Sequence, residues 1–414
     1  MSVTGQPFDL VIRNVRVEED GDLVDIAVRG DQIAAIEPRI RCDAVSDVDG
    51  QSSFAFGGFV DTHIHLDKTC ILDRCTICEG TLAEAVREVA RAKAGFNEDD
   101  VYARAARVVE KAISHGTTRM RAFVEIDPRA GFRSFEAIKR IRGDYAFAVD
   151  IEICAFAQDG LTNEPQTYDM LDTALAAGAD LVGGCPYTDP SPGQHVDMIF
   201  ALAEKHNVSV DFHLDFSLDP DRTDLPKVID TTLRHGWQGR VSIGHVTNLS
   251  AMPNARILAI ADSLADARIA LSVLPATDLF LMGRGYDRLV PRGIAPAHVL
   301  ATRGVVTSIA TNNILNPFTP YGDASLIRMA NLYANVAQLA RDDEIALVFD
   351  MVSKMAASQL NGRARLQAGG DATIVLLDSS GPRAAVREIA RVIAGWKKGR
   401  KSFDNGRPVL HKGI

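Results

Sequence analysis

The stretch that most constrains this chain is Gly57–Lys68, which carries two histidines separated by one residue. The apolar residues around them favour an extended strand, and the glycine pair in front predicts a turn. Because residues two apart on a strand point to the same face, His63 and His65 should project side by side. Two neutral imidazoles in that arrangement can bind one divalent ion. Two exposed histidines on a strand are the alternative, but further histidines on two later predicted strands favour half of a metal site.

The composition is that of an ordinary globular protein of 414 residues, with 46% hydrophobic and 24% charged side chains. This length fits one large α/β barrel with a satellite domain, or two or three average domains. A formal net charge of -9 argues against a nucleic-acid surface. We see no signal peptide, and no apolar run approaches the roughly 20 residues of a membrane span. We therefore expect a cytoplasmic protein with no nucleic-acid or membrane partner.

The six cysteines have no regular spacing, which is typical of reduced thiols in the cytoplasm. Cys75 and Cys78 form a C-x-x-C pair shortly after Cys70. A zinc knuckle would need a second pair of ligands nearby, and a redox motif would need a thioredoxin-like helix start. We interpret these thiols as structural.

Short β patterns lie at both ends of the chain, separated by turn residues. They cover residues 9–17, 23–29, 32–36, 370–378 and 391–396. The simplest interpretation is one small β-sandwich domain built from residues 1–56 and 361–414. Two independent terminal additions are the alternative.

Between the termini, residues 57–360 alternate amphipathic helical patterns with short apolar strands. The predicted strands are the His63 strand and residues 119–126, 146–155, 180–184, 208–214, 240–245, 268–274 and 305–311. Eight strand–helix units without a second break in composition predict a (β/α)8 barrel of the TIM type, in the α/β class.

Active-site side chains of such barrels lie at the C-terminal ends of the strands. The polar residues at the predicted ends are His63, His65, Arg121, Glu125, Gln158, His213, Asp215, His245, Asn312 and Asn313. Four imidazoles on one rim would repel one another on protonation, so a divalent ion is the economical explanation. Arg121 must be paired in the barrel, with Glu125 or Asp127 as the expected partner. The remaining histidines, His195 among them, are expected to face solvent.

Motifs along almost the whole chain resemble the amidohydrolase superfamily and, within it, the cytosine deaminase group. They lie at residues 58–67, 116–121, 155–160, 211–215, 242–245 and 370–375. The resemblance implies a single divalent metal ion, either zinc or iron with manganese as a further option, held by His63, His65 and His213. It also implies that His245 orients the catalytic water and that Gln158 hydrogen-bonds the substrate.

Two positions depart from the cytosine deaminase pattern. Phe216 stands where that group has a proton-transferring Glu, and Asn312 stands where it has a metal-binding Asp. The Asn312 amide can still offer an oxygen to the ion, but it cannot accept a proton. Losing a general acid or base costs roughly 10²–10⁴-fold in rate. A smaller departure is Phe123, where related deaminases often carry His.

Several residues are candidates for the missing proton transfer and for substrate binding. The replacement carboxylates are Asp67, Glu125, Asp215 and Asp278. Asp278 follows the seventh predicted strand and is our choice as catalytic base, with a helix cap or a loop carboxylate as the alternative. Arg284 can clamp an anionic substrate or form a surface ion pair. Tyr187 and Phe216 can pack against a planar ring or serve as ordinary packing.

The favoured function is a metal-dependent hydrolase that cleaves a non-peptide C–N bond in a small cyclic amidine or amide. Deamination and direct amide cleavage both stay open. The alternative is a catalytically degenerate barrel that binds a small molecule without turnover. A homo-oligomer is expected because the outer helices of such barrels often mediate self-association.

Overall fold

Three β-sheets organise the computed structural model, which describes residues 7–362 and 364–408. In chain order the strands are β1 (Phe8–Val15), β2 (Val24–Arg29), β3 (Gln32–Glu37), β4 (Ala44–Asp49), β5 (Phe54–Phe56), β6 (Phe59–Ile64), β7 (Thr117–Glu125), β8 (Asp150–Ala157), β9 (Leu181–Gly184), β10 (Ser209–Leu214), β11 (Val241–His245), β12 (Ala270–Val273), β13 (Thr307–Ile309), β14 (Ile374–Leu377), β15 (Val392–Lys397) and β16 (Arg400–Asp404).

The α-helices lie mostly between the strands of the central sheet and after its last strand. They are α1 (Leu82–Lys93), α2 (Glu98–Ser114), α3 (Arg133–Asp144), α4 (Gln166–Ala176), α5 (Pro192–His206), α6 (Leu225–Arg234), α7 (Asn254–Asp266), α8 (Pro275–Leu281), α9 (Ala297–Ala301), α10 (Leu326–Ala337), α11 (Asp342–Asp350), α12 (Lys354–Gln359) and α13 (Pro382–Glu388). Side-chain caps start several of them: Thr81 accepts from Glu84 N at 3.2 Å, and Asn97 accepts from Asp100 N at 2.9 Å.

The central sheet contains β6 to β13 in sequence order, and every neighbouring pair is parallel. It closes at the C-terminal ends of its first and last strands, where Asn312 lies between two histidines. Asn312 N donates to His63 O at 2.8 Å, and His65 N donates to Asn312 O at 2.9 Å. The predicted α/β class and (β/α)8 barrel are therefore confirmed.

The barrel strands are buried on both faces, because helices cover the outside and side chains fill the inside. Arg121 on β7 points into this interior and pairs with Asp211 at 2.8 Å and Glu152 at 3.0 Å. The expected partners Glu125 and Asp127 were wrong. Four strand residues span roughly 13 Å, so Glu125 lies too far along the strand to reach the guanidinium.

Both ends of the chain contribute strands to a β-sandwich that lies beside the barrel. One sheet has the order β3-β2-β1-β4, and the other has the order β16-β15-β14-β5. Apolar side chains from both sheets form one shared core, including Ile12, Ile26, Ile374, Leu376 and Trp396. The boundaries at residues 56/57 and 360/361 stay a prediction. Within the described ranges, no helix has the length and apolar character to cross a bilayer.

His195 differs from the sequence expectation because it is buried rather than solvated. It lies in the first turn of α5, and its Nδ1 is 3.1 Å from Asp189 Oδ2. Asp189 also accepts hydrogen bonds from the main chain of Leu161, Thr162 and Ser191. This carboxylate therefore joins the loops that follow β8 and β9.

Candidate metal centre

Three imidazoles converge at the C-terminal rim of the barrel. His63 and His65 extend from β6 and His213 from β10, and one nitrogen of each lies within 4.8 Å of the other two. All three rings are buried. His63 Nδ1 and Nε2, His65 Nδ1 and His213 Nε2 have no hydrogen-bond partner among the described residues. Since buried polar atoms without a partner are rare, these nitrogens fit an ion that they would share.

The protonation of the three rings also fits metal binding. Burial holds the pKa values of His63, His65 and His213 well below their ordinary range, and the nearby Lys68 and His245 lower them further. The rings are therefore neutral at physiological pH. A neutral imidazole has a free lone pair, which is the state that a metal ligand needs.

Two phenylalanines pack against the rings of this triad. The Phe123 ring stacks on His63 at a centroid distance of 4.0 Å, and the Phe156 ring lies 4.2 Å from His213. On β11, a Cβ atom at Gly244 would lie 3.0 Å from His63 Cε1, so a larger residue there would displace the ring. Phe123 thus fixes a histidine by packing.

His245 lies next to the triad and is paired with Asp278. Its ring centroid is 5.2 Å from that of His213 and 5.9 Å from that of His63. His245 Nδ1 is 2.7 Å from Asp278 Oδ1 in the first turn of α8. Burial raises the pKa of Asp278, and the contact with His245 opposes that rise. The structure thus brings Asp278 to the site as the partner of an imidazole.

Three strands of the barrel end in residues with left-handed backbone conformation. Asp215 after β10 has φ 50°, His245 at the end of β11 has φ 70°, and Asn312 after β13 has φ 58°. Val246 follows with φ 49°, which is rare for a β-branched residue. Such conformations cost about 1–3 kcal/mol each and cluster at functional sites.

A buried ion network lies beside the triad, and sequence reasoning missed its central residue. Lys68 Nζ is 2.5 Å from Glu125 Oε1 and 3.2 Å from Gln158 Oε1. Lys93 also contacts Glu125, at 3.0 Å. Burial alone would raise the pKa of Glu125, but the two lysines hold it below its ordinary value. The only signal for Lys68 was its place at the end of the His-x-His motif.

The amides after β13 form a chain of hydrogen bonds. Asn316 Nδ2 donates to Asn313 Oδ1 at 2.7 Å, and Asn313 Nδ2 donates to Asn312 Oδ1 at 3.0 Å. Asn312 Nδ2 is buried and has no partner among the described residues. The oxygen that would make Asn312 a metal ligand is therefore engaged by its neighbour.

The remaining predicted residues differ in their surroundings. The Phe216 ring lies 4.5 Å from that of His245 and stacks on Tyr187 at 6.2 Å. Asp67 accepts from Glu125 N and Lys68 N, both at 2.9 Å. Asp215 accepts from Thr223 Oγ1 and Asp224 N.

Arg284 is exposed, and its contacts do not bring it to the triad. Its Nε donates to Phe280 O at 3.0 Å, and a terminal nitrogen donates to Glu79 O at 3.4 Å. The guanidinium also lies 4.5 Å from the centroid of the Phe280 ring.

Comparison with known proteins agrees with this architecture. The model of the amidohydrolase family matches residues 54–401. N-isopropylammelide isopropyl amidohydrolase of Pseudomonas sp. (strain ADP) is 24% identical over 409 residues, covering 95% of this chain and 96% of that protein.

Two solved structures are similar over nearly their whole length. N-isopropylammelide isopropylaminohydrolase from Burkholderia multivorans ATCC 17616 has a TM-score of 0.85 and 27% identity, covering 97% of this chain and 99% of that chain. 5-Methylcytosine deaminase from Klebsiella pneumoniae, liganded with 5-fluorocytosine, has a TM-score of 0.91 and 23% identity, covering 98% of this chain and 99% of that chain. At that identity, the second likeness shows the fold alone.

Proposed function

Because the chain belongs to the amidohydrolase family and is an enzyme acting on carbon–nitrogen bonds, we propose that it is a metal-dependent hydrolase of a small cyclic amidine or amide. The reaction replaces an amino or alkylamino group on an azaheterocycle with a hydroxyl from water, releasing ammonia or an amine. The similarity to an ammelide hydrolase supports this class of substrate.

The observation that carries the proposal is the group of buried, unpartnered nitrogens on His63, His65 and His213. These residues would hold one divalent ion. Nitrogen ligands suit zinc and also iron, whereas manganese, which prefers oxygen ligands, is the third alternative. A bound divalent ion lowers the pKa of water from about 15.7 to about 7, which supplies a nucleophile at neutral pH.

His245 is the residue that we assign to proton transfer. Its Nδ1 faces the Asp278 carboxylate at 2.7 Å, which leaves Nε2 to exchange a proton with water or with the leaving nitrogen. Asp278 is a positioning residue, since it fixes the tautomer and orientation of His245. Phe216 cannot take part in proton transfer, so one imidazole has to serve both halves of the reaction.

Gln158, Tyr187 and Phe216 are the residues that we assign to the substrate ring. Phe216 and Tyr187 offer aromatic faces beside His245, and planar heterocycles stack on such faces. Gln158 offers its amide nitrogen, because Lys68 engages the amide oxygen. Location in the cytoplasm and self-association through the outer helices stay predictions.

The proposal is tested by measuring release of ammonia or alkylamine from a panel of amino-substituted pyrimidines, triazines and pterins. The protein is stripped with a chelator and then reloaded with zinc, iron or manganese. We expect release only from the reloaded protein, and a roughly 10²–10⁴-fold lower rate for His245→Gln with the metal retained.

A metal-reloaded protein that binds members of the panel but releases no ammonia or amine from any of them would contradict the proposed catalytic activity. That outcome would select the degenerate binding protein, which the apolar Phe216 at the usual acid position favours. Because the His245 ring lies outside the triad, His245→Gln keeps the three metal ligands and separates a loss of proton transfer from a loss of metal.

A further inference from the structure

We propose that this site selects an anionic, oxygen-rich azaheterocycle, such as a deprotonated cyclic imide, or its aza analogue, that carries the amino or alkylamino group to be released. The reason is that Asn312 and Gln158 present hydrogen-bond donors there, whereas the carboxylates of Asp67, Glu125, Asp215 and Asp278 are already engaged. This inference rests on the proposed metal site and names its class of substrate.

The first donor is the Asn312 amide, and its orientation is determined by hydrogen bonds that begin at Asn316. Asn316 Oδ1 accepts from Phe318 N at 3.0 Å and from Thr319 N at 3.2 Å, so its amide can face only one way. Its Nδ2 must then donate to Asn313 Oδ1, and Asn313 Nδ2 must donate to Asn312 Oδ1. The orientation of each amide in this hydrogen-bonded series therefore determines the orientation of the next amide.

The chain of amides ends with Asn312 Nδ2 as a free donor next to the metal ligands. The main chain of Asn312 bonds to that of His63 and His65, which fixes its position beside them. Both hydrogens of its Nδ2 lack an acceptor among the described residues. A buried donor without a partner destabilises the protein, and an oxygen of a bound ligand would remove that cost.

The second donor is the Gln158 amide. Lys68 Nζ donates to Gln158 Oε1 at 3.2 Å, so the nitrogen is the part of this amide that stays available. Its contact is with Cys185 Sγ at 3.5 Å, and sulfur is a weak acceptor. An oxygen atom of a substrate ring would be a stronger partner.

The carboxylates around the triad are already engaged. Asp278 pairs with His245, Glu125 pairs with Lys68 and Lys93, and Asp67 and Asp215 accept main-chain hydrogen bonds. Phe216 is apolar. Three neutral imidazoles would leave both charges of a divalent ion without a carboxylate ligand. An anionic ring restores that balance, whereas a neutral ring such as cytosine does not.

The test compares ligand binding by calorimetry in zinc-loaded protein. Barbiturate is the anionic probe, with three ring oxygens and no amine to release, and uracil and cytosine are the neutral probes. We expect barbiturate to bind the wild type at least about tenfold more tightly than either neutral ring. In Asn312→Asp the added negative charge should remove this preference. Gln158→Glu should likewise weaken the binding of barbiturate relative to the neutral rings.

The control for added charge is Asn254→Asp at the exposed start of α7, which should keep the preference. A neutral ring that binds the wild type as tightly as barbiturate would overturn the inference, and so would an unchanged preference in Asn312→Asp. Zinc titration of each protein separates the two proposals. Wild type that holds zinc but prefers neutral rings contradicts only the substrate class, whereas wild type without zinc contradicts the proposed function.

Discussion

At the scale of residues, the candidate site combines buried imidazoles with apolar rings and amides. His63, His65 and His213 stand where the sequence resemblance implies metal ligands. The Phe216 ring packs against His245, and Asn312 ends a chain of hydrogen-bonded amides. We propose that proton transfer depends on His245 and on the groups that hold it.

The first prediction concerns the contact between Asp278 and His245. Asp278→Asn keeps the size of the side chain but can no longer stabilise the imidazolium that forms when His245 accepts a proton. We expect a roughly 10²–10⁴-fold fall in kcat. Steady-state kinetics with a substrate from the panel measures this fall, and zinc titration shows whether the ion is retained. Unchanged kcat in a zinc-loaded variant would assign Asp278 to helix capping alone.

The second prediction concerns the stability of the buried ion network. Lys68→Met leaves the buried Glu125 with Lys93 as its remaining cation, so we expect a loss of about 3–5 kcal/mol in the free energy of unfolding. Urea denaturation measures it. Lys205→Met, at an exposed pair with Asp172, is the control and should change little. Equal effects of the two variants would contradict a structural role for Lys68.

The sequence revealed the histidines but not the network around them, for a physical reason. Imidazoles at strand ends stand out because the strand pattern aligns them on one rim. The structural role of Lys68 and Lys93 depends on carboxylates at the ends of other strands, such as Glu125 at the end of β7. The orientation of Asn312 depends on a turn four to seven residues further along the chain. No sequence pattern at these positions indicates such hydrogen-bond partners.

At the scale of elements, the barrel strands were easier to predict than the outer strands of the sandwich. Strands β6 to β13 are short apolar runs between helices, and their order in the sheet follows the chain. Strand β4 was not predicted because its sequence is polar and mostly exposed. Strand β5 was not predicted because it is only three residues long. Polar strands at the edge of a sheet carry little hydrophobic signal.

A third prediction follows from Asp189, which joins the loops after β8 and β9. Burial alone would raise its pKa, but hydrogen bonds from His195 and from the main chain of Leu161 and Thr162 bring the pKa far below its ordinary value. A carboxyl group whose pKa falls on folding stabilises the protein above the unfolded pKa, near pH 4. That contribution is lost as the pH drops towards the lower folded value.

Replacing Asp189 with Asn should therefore lower the free energy of unfolding by about 3–5 kcal/mol at pH 7. The difference from wild type should shrink as the pH falls below about 4. Urea denaturation at several pH values measures it, with the exposed Asp262→Asn as the matched control. A difference that is independent of pH would show that the charge of Asp189 contributes nothing.

At the scale of the whole molecule, an aromatic cluster connects the sandwich with the barrel. Phe56 on β5 lies 4.7 Å from Phe59 on β6 and 5.3 Å from Phe349 on α11, measured between ring centroids. Phe54 lies 5.9 Å from Phe349. These rings lie where the chain passes from one unit to the other, so the two units should unfold together.

The fourth prediction tests that coupling. Phe56→Ala should lower the free energy of unfolding by about 3–5 kcal/mol, because it leaves a cavity between the two units. Thermal unfolding should still show one transition, at a lower midpoint. Phe147→Ala, with a ring that is 60% exposed, is the control and should leave the midpoint unchanged. A separate early transition of the sandwich would contradict coupled unfolding.

We propose that three histidines from two distant parts of the chain share one ion. The most direct measurement is the number of zinc ions bound per chain, determined by equilibrium dialysis of chelator-stripped wild type, His213→Ala and His115→Ala. We expect one tightly bound ion for wild type and for His115→Ala, and none for His213→Ala. Wild type without a bound ion, or a His213→Ala variant that binds zinc as wild type does, would contradict it.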